Sequence, residues 1–128
     1  MKKILIVTSK YYTNVEKGLI KSALSILKRK YKLKILSVPG VFEIPVMISK
    51  NINNYDGFVA LGCVIKGKTP HFEFISSATT QGIMNLSISS KKPIGNGILT
   101  CLNKKQAIER IKKGAEAGSA VDFILSKK

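Results

Sequence analysis

Short apolar, β-branched runs alternate with helical stretches along this chain, and that alternation limits the fold more than any other feature. The clearest run is Gly57–Ile65, GFVALGCVI, continuously apolar. A strand that shows no polar face must be covered on both sides, which antiparallel sheets seldom require. Ile4–Thr8, Lys34–Val38 and Ile94–Thr100 are the other predicted strands. Between them, Thr13 to about Arg29 places Leu19, Ile20, Ala23, Leu24 and Leu27 on one helical face, and Thr13 and Glu16 have capping-box spacing. Further helices are predicted from Phe42 to about Asn51, over Glu73–Ser89, from Asn103 (with Gln106 as a second capping box), and over Gly114–Leu125. Four strand–helix repeats imply a single α/β domain over residues 1–128: a four-stranded parallel sheet flanked by helices, in three α/β/α layers. Ligands of such sheets bind beyond the carboxyl ends of the strands. That rule points to segments 9–12, 39–43, 63–71 and the residues after Thr100.

Composition excludes several classes. A hydrophobic content of 45% is too high for a disordered chain. No apolar run approaches the ~18 residues of a membrane span. The start, MKKILIVT, has too short an apolar stretch for a signal peptide and reads as a strand. A cytoplasmic protein without membrane attachment is expected. Cys63 and Cys101 have no metal-ligand spacing and read as reduced core thiols; no metal is expected. The net charge of +15 suggests nucleic acid, but the arginines are only Arg29 and Arg110. Arginine is the residue suited to planar recognition of bases and phosphates, and the lysines are scattered. No nucleic-acid partner is expected.

Gly62–Thr69, GCVIKGKT, matches G-x-x-x-x-G-K-[ST], the signature of a phosphate-wrapping P-loop. The chemistry disagrees with the letters. A P-loop needs a flexible interval between its glycines, and Cys63-Val64-Ile65-Lys66 continues a strand. Pro70 also turns Thr69 away from helical geometry where a P-loop helix should begin. A nucleotide-binding protein of P-loop type is kept only as an alternative.

His71 is the single histidine. It follows the most apolar strand at the expected ligand edge, with Thr69 before it and Glu73 after it at a helix start. Histidine is the side chain that exchanges protons near neutral pH, and a helix N-terminus favours an anion. His71 is therefore the expected general acid/base.

The segments VPGVFEIP (38–45), GCVIKGKTPHFE (62–73), GILT (97–100), QAIER (106–110) and KGAEA (113–117) resemble, in order and spacing, the 6,7-dimethyl-8-ribityllumazine synthase family. The likeness covers nearly the whole chain. It implies a flavodoxin-like fold and a transferase of riboflavin biosynthesis. Such an enzyme condenses 5-amino-6-(D-ribitylamino)uracil with 3,4-dihydroxy-2-butanone 4-phosphate, releasing phosphate and water, without a cofactor. Carried over by position, the resemblance makes Tyr11 the ring that stacks on the pyrimidine. It makes Val41, Phe42 and Glu43 the ribityl-binding segment, and Cys63, Val64 and Ile65 the backbone that reads the pyrimidine edge. Lys68, Thr69, Arg110 and Lys113 become phosphate ligands, and His71 the proton carrier. A module that binds a flavin-like ligand without turnover is the other alternative.

Two departures stand out. Asn96 occupies a position where many members carry an aromatic that crosses a subunit boundary; either the pyrimidine is bound more weakly or Asn96 hydrogen-bonds it instead. The joint between Arg110 and Lys113 is several residues short, which sets the two at odds over one phosphate and gives Arg110 priority. In the family that the chain resembles, a longer joint and an extra leading strand go with sixty-subunit capsids; with neither here, the resemblance implies a homopentamer with sites between subunits.

Overall fold

The computed structural model describes residues 1–127. Its strands are β1 (Lys3–Ser9), β2 (Lys32–Val38), β3 (Gly57–Ile65) and β4 (Ile94–Cys101), and its helices are α1 (Thr13–Leu27), α2 (Ile44–Lys50), α3 (His71–Ser90), α4 (Lys104–Glu109) and α5 (Lys113–Leu125). All pairings are parallel, in the order β2-β1-β3-β4. This is the doubly wound, flavodoxin-like order in three layers, and it places the topological switch point between β1 and β3.

The continuous apolar runs explain the layers. Successive residues of β1 and β3 point to opposite faces, and both faces are covered. Ile4, Ile6, Val59, Leu61 and Leu99 pack with Val15, Leu19, Ala23 and Leu27 of α1 and with Ala117 and Val121 of α5. Leu5, Val7, Phe58, Ala60 and Ile98 pack with Ile44 and Ile48 of α2 and Ile83 of α3. The edge strand β2 is the most exposed, with Lys32 and Lys34 along it, charges that discourage pairing with another sheet.

Several element ends differ from expectation for identifiable reasons. The Thr13–Glu16 box does not form. Tyr12 is the residue before α1, no side chain caps the helix, and Glu16 instead accepts a hydrogen bond from the buried Thr8 hydroxyl at 3.2 Å. At α4 the first half of the box does form: Asn103 accepts from the Gln106 N–H at 2.9 Å, while Gln106 Oε1 reaches past Asn103 to the Leu102 N–H at 2.8 Å. The helix expected from Phe42 is a 3-10 turn, Val41–Glu43, followed by α2, with Pro45 in its first turn. A proline there loses no helical hydrogen bond. The third helix starts at His71, two residues before Glu73, because Pro70 supplies the residue ahead of it.

The far end of α5 is fastened to α1 and β2 by a polar clasp. The Tyr31 hydroxyl donates to Asp122 Oδ1 at 2.6 Å, and Lys30 Nζ lies 3.0 Å from Oδ2. Burial, reinforced by the Asp122 carboxylate, pushes the Tyr31 phenol up to about 12 from 10.0. A folded-state value above the unfolded one stabilises the fold below pH 10, and the contribution disappears as pH rises from there to about 12. Tyr31→Phe should cost about 1 kcal/mol at neutral pH. In urea titrations its stability deficit against the parent protein should shrink across that alkaline window.

Candidate active site

The carboxyl ends of β1 and β3 diverge at the switch point and leave a cavity of about 590 Å³. Its wall comes from Ser9, Lys10 and Tyr11 after β1, from Pro39 to Glu43 after β2, from Cys63, Val64 and Ile65 at the end of β3, and from His71 and Ile75 on α3. Eight of the sequence-predicted site residues meet here: Tyr11, Val41, Phe42, Glu43, Cys63, Val64, Ile65 and His71.

Each wall is held differently. Tyr11 is 49% exposed, and its ring meets that of Tyr12 in T-shaped geometry with 4.5 Å between centroids. Burial, and after it the neighbouring Tyr12, raise the Tyr11 phenol above its usual value, keeping it neutral. Val41 is buried, whereas Phe42 is 60% exposed. Glu43 stands at the last turn before α2, where a carboxylate suits the helix N-terminus. The Cys63 thiol is pushed up to about 11 by burial and by nearby Cys101. It is therefore a protonated core thiol at neutral pH, unsuited to nucleophilic work.

The β3 backbone also settles the P-loop question. Cys63, Val64 and Ile65 are in register with Leu99, Thr100 and Cys101 of β4, and the Lys66 N–H donates to the Cys101 carbonyl at 2.9 Å. Residues 63–65 are thus held as extended strand beside β4, and the Lys66 amide is spent in the sheet, so this interval is not the turned loop that a P-loop wraps around a phosphate. Lys68 and Thr69 form an exposed turn immediately before His71. The Thr69 hydroxyl accepts from the His71 N–H at 3.4 Å, and Lys66 Nζ lies 3.9 Å from Glu73.

Arg110 and Lys113 lie elsewhere, in a second cleft of about 390 Å³ shared with Ile98, Leu99, Thr100, Glu109, Lys112 and Glu116. No residue lines both clefts. With the shortened joint, the two cations line the same cleft. Arg110 ends α4, the Lys113 N–H donates to the Arg110 carbonyl at 3.0 Å, and this tight turn brings both to one cleft. Asn96 lines neither cleft. It is exposed on β4, and its carboxamide oxygen accepts from the Ile98 N–H at 3.1 Å. Ser9, Lys10 and Ile75 belong to the cavity but carry no sequence signal of their own. The signal that could have found them was the ligand-edge rule applied residue by residue. Among the described residues, no group of three or more His, Cys, Asp or Glu could hold a metal ion, and no helix is long and apolar enough to cross a membrane.

A doubly wound parallel sheet with a cavity at its switch point, lined by an aromatic ring, a strand end and a histidine, and with a mixed-charge cleft beside its edge strand, has the architecture of an α/β enzyme for small molecules. Comparison with known proteins identifies the member of that class. A family model described as 6,7-dimethyl-8-ribityllumazine synthase matches residues 1–127. The chain is 40% identical to the 6,7-dimethyl-8-ribityllumazine synthase of Bartonella tribocorum over 98% of its own length and 89% of that protein. It is 40% identical to that of Afipia carboxidovorans (92% and 80% covered) and 37% identical to that of Cutibacterium acnes (92% and 76%). The chain belongs to the 6,7-dimethyl-8-ribityllumazine synthase family, transferases of riboflavin biosynthesis.

Proposed function

We propose that this protein condenses 5-amino-6-(D-ribitylamino)uracil with 3,4-dihydroxy-2-butanone 4-phosphate, and that the two clefts are halves of one site completed between neighbouring subunits. The observation that carries the reading is the meeting of Tyr11, Glu43 and His71 in one cavity at the switch point. In this reading Tyr11 stacks on the pyrimidine, the strand end at Cys63–Ile65 reads its edge, and the Val41–Glu43 turn holds the ribityl chain. Lys68 and Thr69 approach the phosphate from His71's side, and Arg110 and Lys113 of an adjacent subunit approach it from the other. Asn96, on the same edge strand as the second cleft, would also reach a neighbour's pyrimidine. The separate linings of the two clefts support a homo-oligomer, and a pentamer of about five times the 14.0 kDa chain mass is the expected assembly. Cys63 and Cys101, both free and buried, accord with work in the cytoplasm.

The chemistry needs little more than this equipment. The amine adds to the ketone and a first water departs as the imine forms; phosphate is eliminated and the resulting enol tautomerises to a second carbonyl; the ribityl-bearing nitrogen adds there, and a second water leaves as the ring closes. Holding two reactive partners in line contributes ~7–11 kcal/mol of barrier lowering, more than a proton carrier supplies. His71, exposed at the α3 N-terminus, takes and returns protons at the reacting nitrogen and oxygen atoms. His71→Ala should lower kcat about 10²-fold and leave both KM values nearly unchanged. The test is purified protein with the two substrates and no added cofactor, followed by lumazine fluorescence. No product from the parent protein would refute the function, and total loss in a folded His71→Ala protein would refute the secondary role of the proton carrier.

A further inference from the structure

One polar group of the cavity has no task in the mechanism above. Ser9 is 2% exposed, and its hydroxyl is enclosed without a hydrogen-bond partner. It nevertheless lines the cavity. The sheet explains how it came there. Leu5, Val7 and Ser9 alternate onto the face that α2 and α3 cover, and the β1–β3 register, running to Thr8 opposite Leu61, brings Gly62 beside Ser9. A Cβ on Gly62 would stand 2.5 Å from Ser9 Oγ and 2.8 Å from Val41 Cγ2. The absent side chain at Gly62 is thus what leaves room for the hydroxyl against the Val41–Glu43 turn.

An enclosed hydroxyl without a partner costs roughly 1–3 kcal/mol, so such groups in native proteins call for an explanation. Its neighbour Thr8, on the opposite face, has a partner in Glu16. Ser76 and Thr79, which also lack partners, are on α3, where a hydroxyl can turn to a carbonyl one helical turn back. A strand offers Ser9 no such carbonyl.

We infer that Ser9 is a specificity-determining residue whose hydroxyl hydrogen-bonds the polyhydroxylated chain of the pyrimidine substrate as it passes the Val41–Glu43 turn. This rests on the function proposed above. The ring face belongs to Tyr11 and the ring edge to the β3 backbone, whereas Ser9 sits with Val41. The Glu43 carboxylate can only accept, so it takes protons from the polyol. Ser9 can donate as well as accept, and supplies the complement that a chain of hydroxyls requires.

The test compares two ligands on the full-length protein: 6,7-dimethyl-8-ribityllumazine, and the analogue with methyl in place of ribityl. Ser9→Ala should weaken the ribityl compound about tenfold, leave the methyl compound unchanged, and raise KM for the pyrimidine but not for the phosphate substrate. Because the hydroxyl has no partner in the unliganded protein, the melting temperature of unliganded Ser9→Ala should not fall. Equal effects on both ligands, or none, would overturn the inference, as would a lowered melting temperature with ribityl affinity intact. Should Ser9→Ala not fold, Ser9→Cys, of similar size and a weaker donor, runs the same comparison, and failure of both to fold would also overturn it. Parent protein that makes no lumazine refutes the function itself. Active parent protein with undiminished ribityl preference in the variant refutes only the role of Ser9.

Discussion

Replacing Arg110 by alanine should raise KM for the butanone phosphate by about 10²–10³-fold while kcat falls much less. A guanidinium gripping a phosphate through two charge-assisted hydrogen bonds contributes several kcal/mol to binding, and Arg110 is exposed beside Lys113 in an otherwise mixed-charge cleft. Arg110→Lys should recover only part of the loss, because an ammonium lacks the planar fork. The decisive form of the experiment mixes chains. Arg110→Ala and His71→Ala proteins, unfolded and refolded together, should be more active at low phosphate substrate than either alone. A site with His71 from one chain and Arg110 from its neighbour is then complete at some interfaces. Simple averaging of the two parent activities would exclude a site shared between subunits.

The chain announces its sheet more clearly than its site. Gly57–Ile65 and Ile4–Thr8 are readable because strands buried on both faces are apolar almost throughout, with polar residues such as Thr8 confined to the strand end. Helix starts are less readable, because the groups that satisfy them are chosen by tertiary neighbours. Glu16 had the spacing to cap α1 but is drawn away by Thr8, a residue on a different element. The same holds within the cavity. His71 and Glu43 stand out in the sequence because ionisable groups beside apolar strand ends are unusual. Ser9 does not, because its meaning depends on Gly62 in a distant segment, and only the register of two strands joins them. The joint between Arg110 and Lys113 is hard to read from sequence for a related reason. Spacing in sequence says nothing of whether a turn, here closed by the Lys113 N–H onto the Arg110 carbonyl, will bring two side chains to one cleft.

Two glycines test this picture from the side of stability. Gly114 stands in the first turn of α5 where it crosses α1, and a Cβ there would collide with the Leu19 carbonyl oxygen and lie 3.1 Å from the Ala23 nitrogen. Both obstacles are backbone, so no rotamer change relieves them. The contact is also fixed by the Ala115 N–H, which donates to Ser22 Oγ of α1 at 2.8 Å. Gly114→Ala should cost about 3 kcal/mol, a large share of the ~5–15 kcal/mol that holds a small domain together, and Gly114→Val should abolish folding at 37 °C. Because Lys113 precedes this glycine, any surviving Gly114→Ala protein should bind the phosphate substrate more weakly. Gly67, the second glycine of the P-loop-like motif, should behave in the opposite way. No atom lies within 4 Å of the position its Cβ would take, and its backbone is not in the left-handed region. A true P-loop would not tolerate a side chain there, since the backbone must close on phosphate. Gly67→Ala should therefore leave both the melting temperature and kcat nearly unchanged. A folded Gly67→Ala protein that loses activity outright would restore a phosphate-wrapping role to the loop, whereas its indifference, beside the collapse of Gly114→Val, would leave the GCVIKGKT match as a coincidence of letters along a strand.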